Sequence, residues 1–234
     1  MPKLKDHSYL DAKDKFLEYS FQALQDQFST KDELISFFDT IGNDDQKKLF
    51  LKTASFYFFL VKNGDWLVDI SGSNGRVDYF TDTYKYIAIF SLIESLQGKE
   101  FMDFYSFLVR RKTNVEFPIN NKKELDQWYR KYKQEYGAIH KSVQFFESLS
   151  TQRKADLIKN LEVKNAEASI ENLSKYLYNL RSKFVHKAEL VVYMSGITTI
   201  SKYGKKVVIC KLSLRKLMIF FEEGLITYFT PRKT

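Results

Sequence analysis

Apolar residues return every three or four positions along most of this chain, the mark of helices that bury one face. In KDKFLEYSFQALQDQF (13–28), Phe16, Tyr19, Leu24 and Phe28 keep that spacing. Over 122–148, Leu125, Trp128, Tyr132, Tyr136 and Ile139 keep it again, and over 168–187 so do Ile170, Leu173, Leu177, Leu180 and Phe184. Little interrupts the pattern: there are 9 Gly and 3 Pro in 234 residues, too few for a sheet-rich protein full of tight turns. A chain of this size hides roughly 70–75% of its unfolded surface, so its core needs no covalent staples.

Local signals divide the chain into helices. STKDELISFF opens on a capping-box pattern, with Ser29 or Thr30 as the cap. Asn43-Asp44-Asp45 starts a helix over 43–62, stopped by Asn63-Gly64, and a Gly, Ser, Asn and Asp-rich loop covers 64–78. Its SGSNG reads as a turn, because no Gly-Lys-Ser/Thr follows to make a phosphate-cradling loop. Helices follow at 79–97 and in KEFMDFYSFLVRR; FPINN (117–121) punctuates; then come helices at 122–148, 151–161 and 168–187. Only the tail changes period. GITTISKYGKKVVICKL flanks Tyr203-Gly204-Lys205 with β-branched runs, a hairpin signal, before a last helix that Pro231 ends. The expected fold is all-α, a helical bundle with a helical N-terminal extension (1–78), a main helical domain (79–234) and one small β-hairpin before the last helix.

Several classes of function fall away. Cys210 is the single cysteine, so neither an internal disulfide nor a cysteine metal cluster is available. The three histidines are scattered without a motif such as His-Glu-x-x-His, so no metal and no cofactor is expected. The charged opening MPKLKDHSYLDAKDK is no secretory signal, and the most apolar run, ASFYFFLV (54–61), is far short of the ~20 residues that span a bilayer. A cytoplasmic protein with no membrane partner is expected. Charge is uneven: residues 1–80 carry 10 Lys/Arg against 13 Asp/Glu, whereas 81–234 carry 27 against 16. A basic part of this kind either attracts a polyanion such as RNA or is a plain soluble surface.

The helix over 168–187 repays a residue-by-residue count. At 100° per residue its apolar stripe is narrow, and Lys175, Asn179, Ser182 and His186 fall on a line nearly opposite. Arg181 sits on the flank, about 60° from the stripe centre, long enough to reach round towards His186 or a ligand. His186 therefore points away from its own helix's core. It is either an exposed histidine that suits the helix C-terminus or one that faces a second surface, a partner subunit or a ligand.

LYNLRSKFVHKAEL resembles the signature helix of the HEPN superfamily (higher eukaryotes and prokaryotes nucleotide-binding domain), in which Arg, a polar residue and then His stand near a helix end. Arg181, Ser182 and His186 match that order with four residues between Arg and His. DTYKYIAIFSLIESL (82–96) is similar to the opening helix of the Apea-like branch, and the likeness covers about 79–230. The resemblance implies a homodimer with motif helices face to face and a metal-independent endoribonuclease, in some relatives a toxin or defence nuclease. It equally implies an alternative, a non-catalytic module that binds RNA, a nucleotide or a partner protein. In the catalytic reading Arg181, Ser182 and His186 are the catalytic group, Asn179, Lys183 and Lys187 contact RNA, and a regulatory protein partner is compatible with it.

The residue types suit the chemistry. Cleaving RNA without a metal needs a 2′-hydroxyl deprotonated, a crowded phosphate stabilised and a leaving oxygen protonated. Histidine as a residue type exchanges protons near neutral pH, and arginine presents a fork matched to phosphate oxygens. One histidine cannot easily serve both ends of the bond; a symmetric dimer brings two. Ser182 stands where the family more usually has Asn, Asp or His, and is a weaker orienter.

Other residues have plainer readings. Glu94 either orients the basic site or is a structural carboxylate. His140 lacks a matched partner, and His7 lies near the terminus. WYRKYKQEY (128–136) interleaves aromatics and cations as a base-stacking segment does, yet Trp128, Tyr132 and Tyr136 recur at core spacing. Arg110-Arg111-Lys112 and Lys205-Lys206 are phosphate contacts or solvated ends.

Overall fold

The computed structural model describes residues 9–64, 74–96, 102–110, 115–164, 167–187, 194, 196–203 and 206–231. These residues are mostly helical. Three helices come first, α1 (Lys13–Leu24), α2 (Lys31–Thr40) and α3 (Asp44–Tyr57), and α3 runs on into a π-helical turn, Phe58–Lys62. Then come α4 (Asn74–Ser95), α5 (Phe104–Val109), α6 (Lys122–Tyr136), α7 (Ala138–Glu147) and α8 (Thr151–Asn160). Strand β1 (Leu161–Val163) precedes α9 (Ile170–Lys187), β2 (Thr199–Tyr203), β3 (Lys206–Cys210) and α10 (Leu214–Phe229). No helix among the described residues is long and apolar enough to cross a membrane.

The helix starts follow from their caps. Of Ser29 and Thr30, it is Thr30 that caps α2: its side chain accepts from the Glu33 N–H, and Glu33 reaches back to the Thr30 N–H. Asn43, Asn121, Ser150 and Ser213 cap α3, α6, α8 and α10 in the same sense, each accepting from a backbone N–H three residues on.

Five expectations need correction. The helix expected at 79–97 begins at Asn74, five residues inside the supposed 64–78 loop, while 65–73 lie outside the described residues. KEFMDFYSFLVRR is helical only over Phe104–Val109. The last turn of the 43–62 helix is π-helical, the Asn63 N–H bonding the Phe58 carbonyl at 2.9 Å. The small sheet has a third strand: β1 pairs antiparallel with β3, Leu161 opposite Cys210, on the edge that β2 leaves open, so the order is β1-β3-β2. Lastly, the helix expected over 122–148 is two helices. Gly137 leaves the helical region, its N–H closing α6 on the Lys133 carbonyl at 2.9 Å, and a Cβ there would stand 2.2 Å from that oxygen. Only glycine permits this close approach. The same break removes the basis for a core stripe along 122–148, because α6 buries no residue at all.

The core does not divide at 78/79. Leu17, Phe38, Phe50 and Tyr57 from the first three helices lie in one buried cluster with Phe90, Phe146, Leu177, Phe221 and Leu225. α10 is the pivot. Phe229 meets Phe50 edge to face at 5.4 Å, and Phe221 packs on Tyr57 at 4.7 Å and on Phe145 at 5.8 Å. Gly224 lets α10 approach α7, since a Cβ at that position would meet the Phe145 ring at 2.3 Å. Gly224→Ala is therefore expected to destabilise the protein by about 1–3 kcal/mol through overpacking, read as a lower urea midpoint with an unchanged slope; an unchanged midpoint would show that the Phe145 ring has room to retreat.

Candidate functional site

The apolar stripe of α9 goes where the periodicity puts it. Ile170, Leu173, Leu177 and Leu180 are buried, joined by Tyr176, and Phe184 is half-buried against Tyr84 of α4, ring centroids 6.0 Å apart. Helix α4 lies along this face: the Tyr86 hydroxyl donates to the Leu177 carbonyl, and Phe90 meets Tyr178 edge to face. These contacts fix the rotation of α9 against α4 and so decide what its flank residues meet.

Arg181 meets Glu94. Its Nη2 is 3.4 Å from Glu94 Oε1, with side-chain exposures of only 17% and 25%. The guanidinium also sits over the Tyr178 ring, 5.7 Å from its centroid. The Tyr178 hydroxyl lies beside the Glu94 carboxyl, and Lys141 Nζ of α7 donates to the Glu94 backbone oxygen at 3.2 Å. The pair is matched in charge but not closed by hydrogen bonds: Arg181 Nε and Glu94 Oε1 are both buried without a hydrogen-bond partner. Burial pushes the Glu94 carboxyl above its ordinary range, against the pull of Arg181 and Lys141. The Tyr178 phenol is likewise pushed up, by burial first and then by the neighbouring Glu94.

The raised Glu94 has a consequence for pH. The unfolded chain ionises this carboxyl first on raising pH, the folded chain later, so the stability it supports is full below the usual carboxylate range and is lost as pH rises through the raised folded value. Wild type is expected to lose melting temperature relative to Glu94→Gln between mildly acidic and neutral pH. The opposite trend in a pH series of thermal melts would mean that the attraction of Arg181 outweighs burial.

The remaining sequence candidates are spread along α9. Ser182 and Lys183 are half-buried, whereas His186 and Lys187 are exposed at its end. Asn179 is half-buried, its Nδ2 donating to the Lys175 carbonyl at 2.7 Å, and Lys175 pairs with Glu171 one turn earlier. The polar line is thus not uniformly outward. Its first half, Lys175 and Asn179, faces a cavity of about 1200 Å³ beside α7, and only its end is open.

Arg110 is neither a solvated end nor an open phosphate contact. It is bidentate with Glu135 of α6 (3.1 and 2.7 Å), donates to the Tyr136 hydroxyl at 2.8 Å and lies 4.4 Å from the Phe107 ring centroid. Arg111, Lys112 and Lys205 lie outside the described residues, as does His7. Among the described residues, no three His, Cys, Asp or Glu side chains are grouped so as to hold a metal ion. Glu94 and His140 stand out singly in the sequence, but that Tyr178 and Lys141 lie beside Glu94 and that His140 lines the cavity does not. The packing of α7 on α9 brings these together, and no local pattern reports that packing. The chain matches no protein-family model, no curated protein and no solved structure.

Proposed function

We propose that this chain is a HEPN-type, metal-independent endoribonuclease that works as a homodimer, with Arg181 binding phosphate, His186 exchanging protons and Ser182 helping to orient them. The observation that carries the reading is the junction of α4 and α9. Glu94 holds the Arg181 guanidinium on one side of α9, while His186 stands exposed at the helix end. These are the two helices in which the HEPN resemblance lies.

The chemistry of the proposed reaction is what calls for a dimer. Residues five apart on an α-helix are separated by roughly 140° in rotation and about 7.5 Å along the axis. That offset leaves His186 on a different side of the helix from the Arg181–Glu94 contact, and acid and base at opposite sides of a phosphate call for a second histidine. A two-fold partner supplies one. Asn179, Lys183 and Lys187 surround the motif and serve as RNA contacts in this reading.

One observation favours the alternative, a HEPN-type module that binds RNA, a nucleotide or a protein without cutting. Arg181 is only 17% exposed and its charge already has a partner in Glu94, so phosphate must compete with a carboxylate for it. Turnover decides between them. Purified protein incubated with single-stranded and structured RNA in the presence of chelator is expected to cleave, as a dimer by light scattering. RNA binding is expected to weaken steeply with salt, because phosphates held by Lys and Arg release counterions. Salt-sensitive binding without turnover would leave the binding module; a strict monomer without RNA affinity would end both readings.

A further inference from the structure

The break at Gly137 does more than split a helix. It turns α6 away from the core, so that none of its own residues is buried, and leaves a cleft between α6 and α9 with α7 at its back. The cleft is held open from outside. Arg110 clamps Glu135 and Tyr136, while Phe104 and Phe107 pack on Tyr132 at 5.4 and 5.6 Å. The Tyr132 hydroxyl is anchored on the Met102 carbonyl at 2.9 Å. So α6 is a fixed arm: its aromatic residues are arranged by α5, and not by the core.

The cleft's chemistry is specific. Tyr132 and Tyr136 line it from the arm and Tyr178 from α9, and Lys133, His140 and Lys175 line it too. Each acid at the wall already has a cation: Glu171 has Lys175, and Glu94 has Arg181. Beyond the cleft lining, the same arm pairs the same residue types: Lys133, itself in the lining, lies 4.5 Å from the Tyr129 ring, and Lys131 4.3 Å from the Trp128 ring. A volume of about 1200 Å³ exceeds the roughly 300–1,000 Å³ typical of small-molecule pockets. Interleaved aromatics and cations along a groove are what unpaired nucleic acid uses, because bases stack on rings while phosphates meet lysines. Glu94 is common to this cleft and to the Arg181 site, so a strand lying in one runs into the other.

We propose that the cleft between α6 and α9 seats unpaired RNA nucleotides, with α6 as the stacking arm, and delivers the adjoining phosphate to Arg181. This rests on the reading of the protein as RNA-directed and specifies its substrate as single-stranded. Duplex RNA, with its bases stacked inside, has nothing to place in the cleft.

The test is fluorescence anisotropy with a labelled 2′-O-methyl oligonucleotide, which cannot be cut because the 2′-hydroxyl is blocked. Ser91 lines the cleft from an exposed position on α4, so Ser91→Trp fills the space without disturbing the core. Lys133→Glu, also exposed, removes a cation from the arm. Both are expected to weaken binding roughly tenfold or more, about the loss of one stacked base, and Lys133→Glu is also expected to make the salt dependence shallower by about one phosphate contact. Unlabelled duplex is expected to compete poorly. If both variants keep the wild-type melting temperature and bind the oligonucleotide as tightly as wild type, the inference is overturned, even where RNA is cut normally. If wild type fails to bind single strands, it is overturned too. Cleft-dependent binding with no cleavage of ordinary RNA sinks the nuclease reading and upholds the cleft.

Discussion

His186→Ala is expected to lower RNA cleavage by roughly 10²–10⁴, the usual worth of a general acid or base, while the fold survives. The side chain is exposed at the end of α9 and takes no part in the core, so a loss of rate cannot be ascribed to unfolding. Arg181 needs a gentler probe. Its removal would strand a largely buried Glu94, so alanine there confounds chemistry with stability. Arg181→Lys keeps the charge and loses the planar fork, and is expected to leave the rate well below wild type. Ser182→Ala is expected to do less, since in the nuclease reading serine only orients. Under the same reading, chelator is expected to leave the wild-type rate unchanged. Full-rate cleavage by His186→Ala would assign the activity to another site or to a contaminant.

The second large effect is expected far from this site. Glu222 of α10 is fully buried. It accepts a hydrogen bond from the Tyr57 hydroxyl at 2.6 Å and pairs with Lys62 Nζ at 2.9 Å; Lys62 also reaches Asp26 at 2.8 Å. Burial, and then the adjacent Glu222 carboxylate, push the Tyr57 phenol far above its ordinary range, so it stays a donor. Lys62 ends the π-helical turn, which sets the direction in which its side chain leaves the backbone. Burying a carboxylate is tolerable only while its partners stay. Glu222→Ala leaves Tyr57 without its acceptor and Lys62, 17% exposed, with only the surface Asp26. A loss of about 3–5 kcal/mol is expected in urea unfolding, against about 1.5–3 kcal/mol for Tyr57→Phe, which removes one hydrogen bond to a charged group. Replacing Lys62 and Glu222 together by Met should cost less than Glu222→Ala alone, because no charge is then left buried. A loss under about 1 kcal/mol for Glu222→Ala would mean that water reaches the site, as it can where Glu222 Oε2 lies buried without a partner.

Much of the architecture was legible because helices are local objects. Periodicity and caps depend on residues three or four apart, so the stripe of α9, the Thr30–Glu33 box, the β2–β3 hairpin and the close of α10 before Pro231 could all be read along the chain. The exposure of His186 was equally a matter of counting residues round one helix. Even the breaks had local causes: Gly137 was visible in the sequence, but a single glycine inside a strong pattern does not say whether a helix tolerates it or ends there.

What one helix meets on another is not local. Glu94 and Arg181 come together because α4 and α9 pack at one particular rotation, and Tyr57 finds Glu222 across 165 positions of chain. Strand β1 forms because β3 has an open edge to offer. The tyrosines of α6, spaced as a core stripe, line a cleft instead, since spacing specifies which residues share a face and leaves open what that face will touch. The sequence alone therefore determined most of the helices, the buried face of α9 and the places of Arg181 and His186 on it. Packing between distant segments decided that Arg181 would be half-hidden against a carboxylate beside a cleft, because such contacts are selected by the shape and charge of surfaces that exist only once the helices have come together.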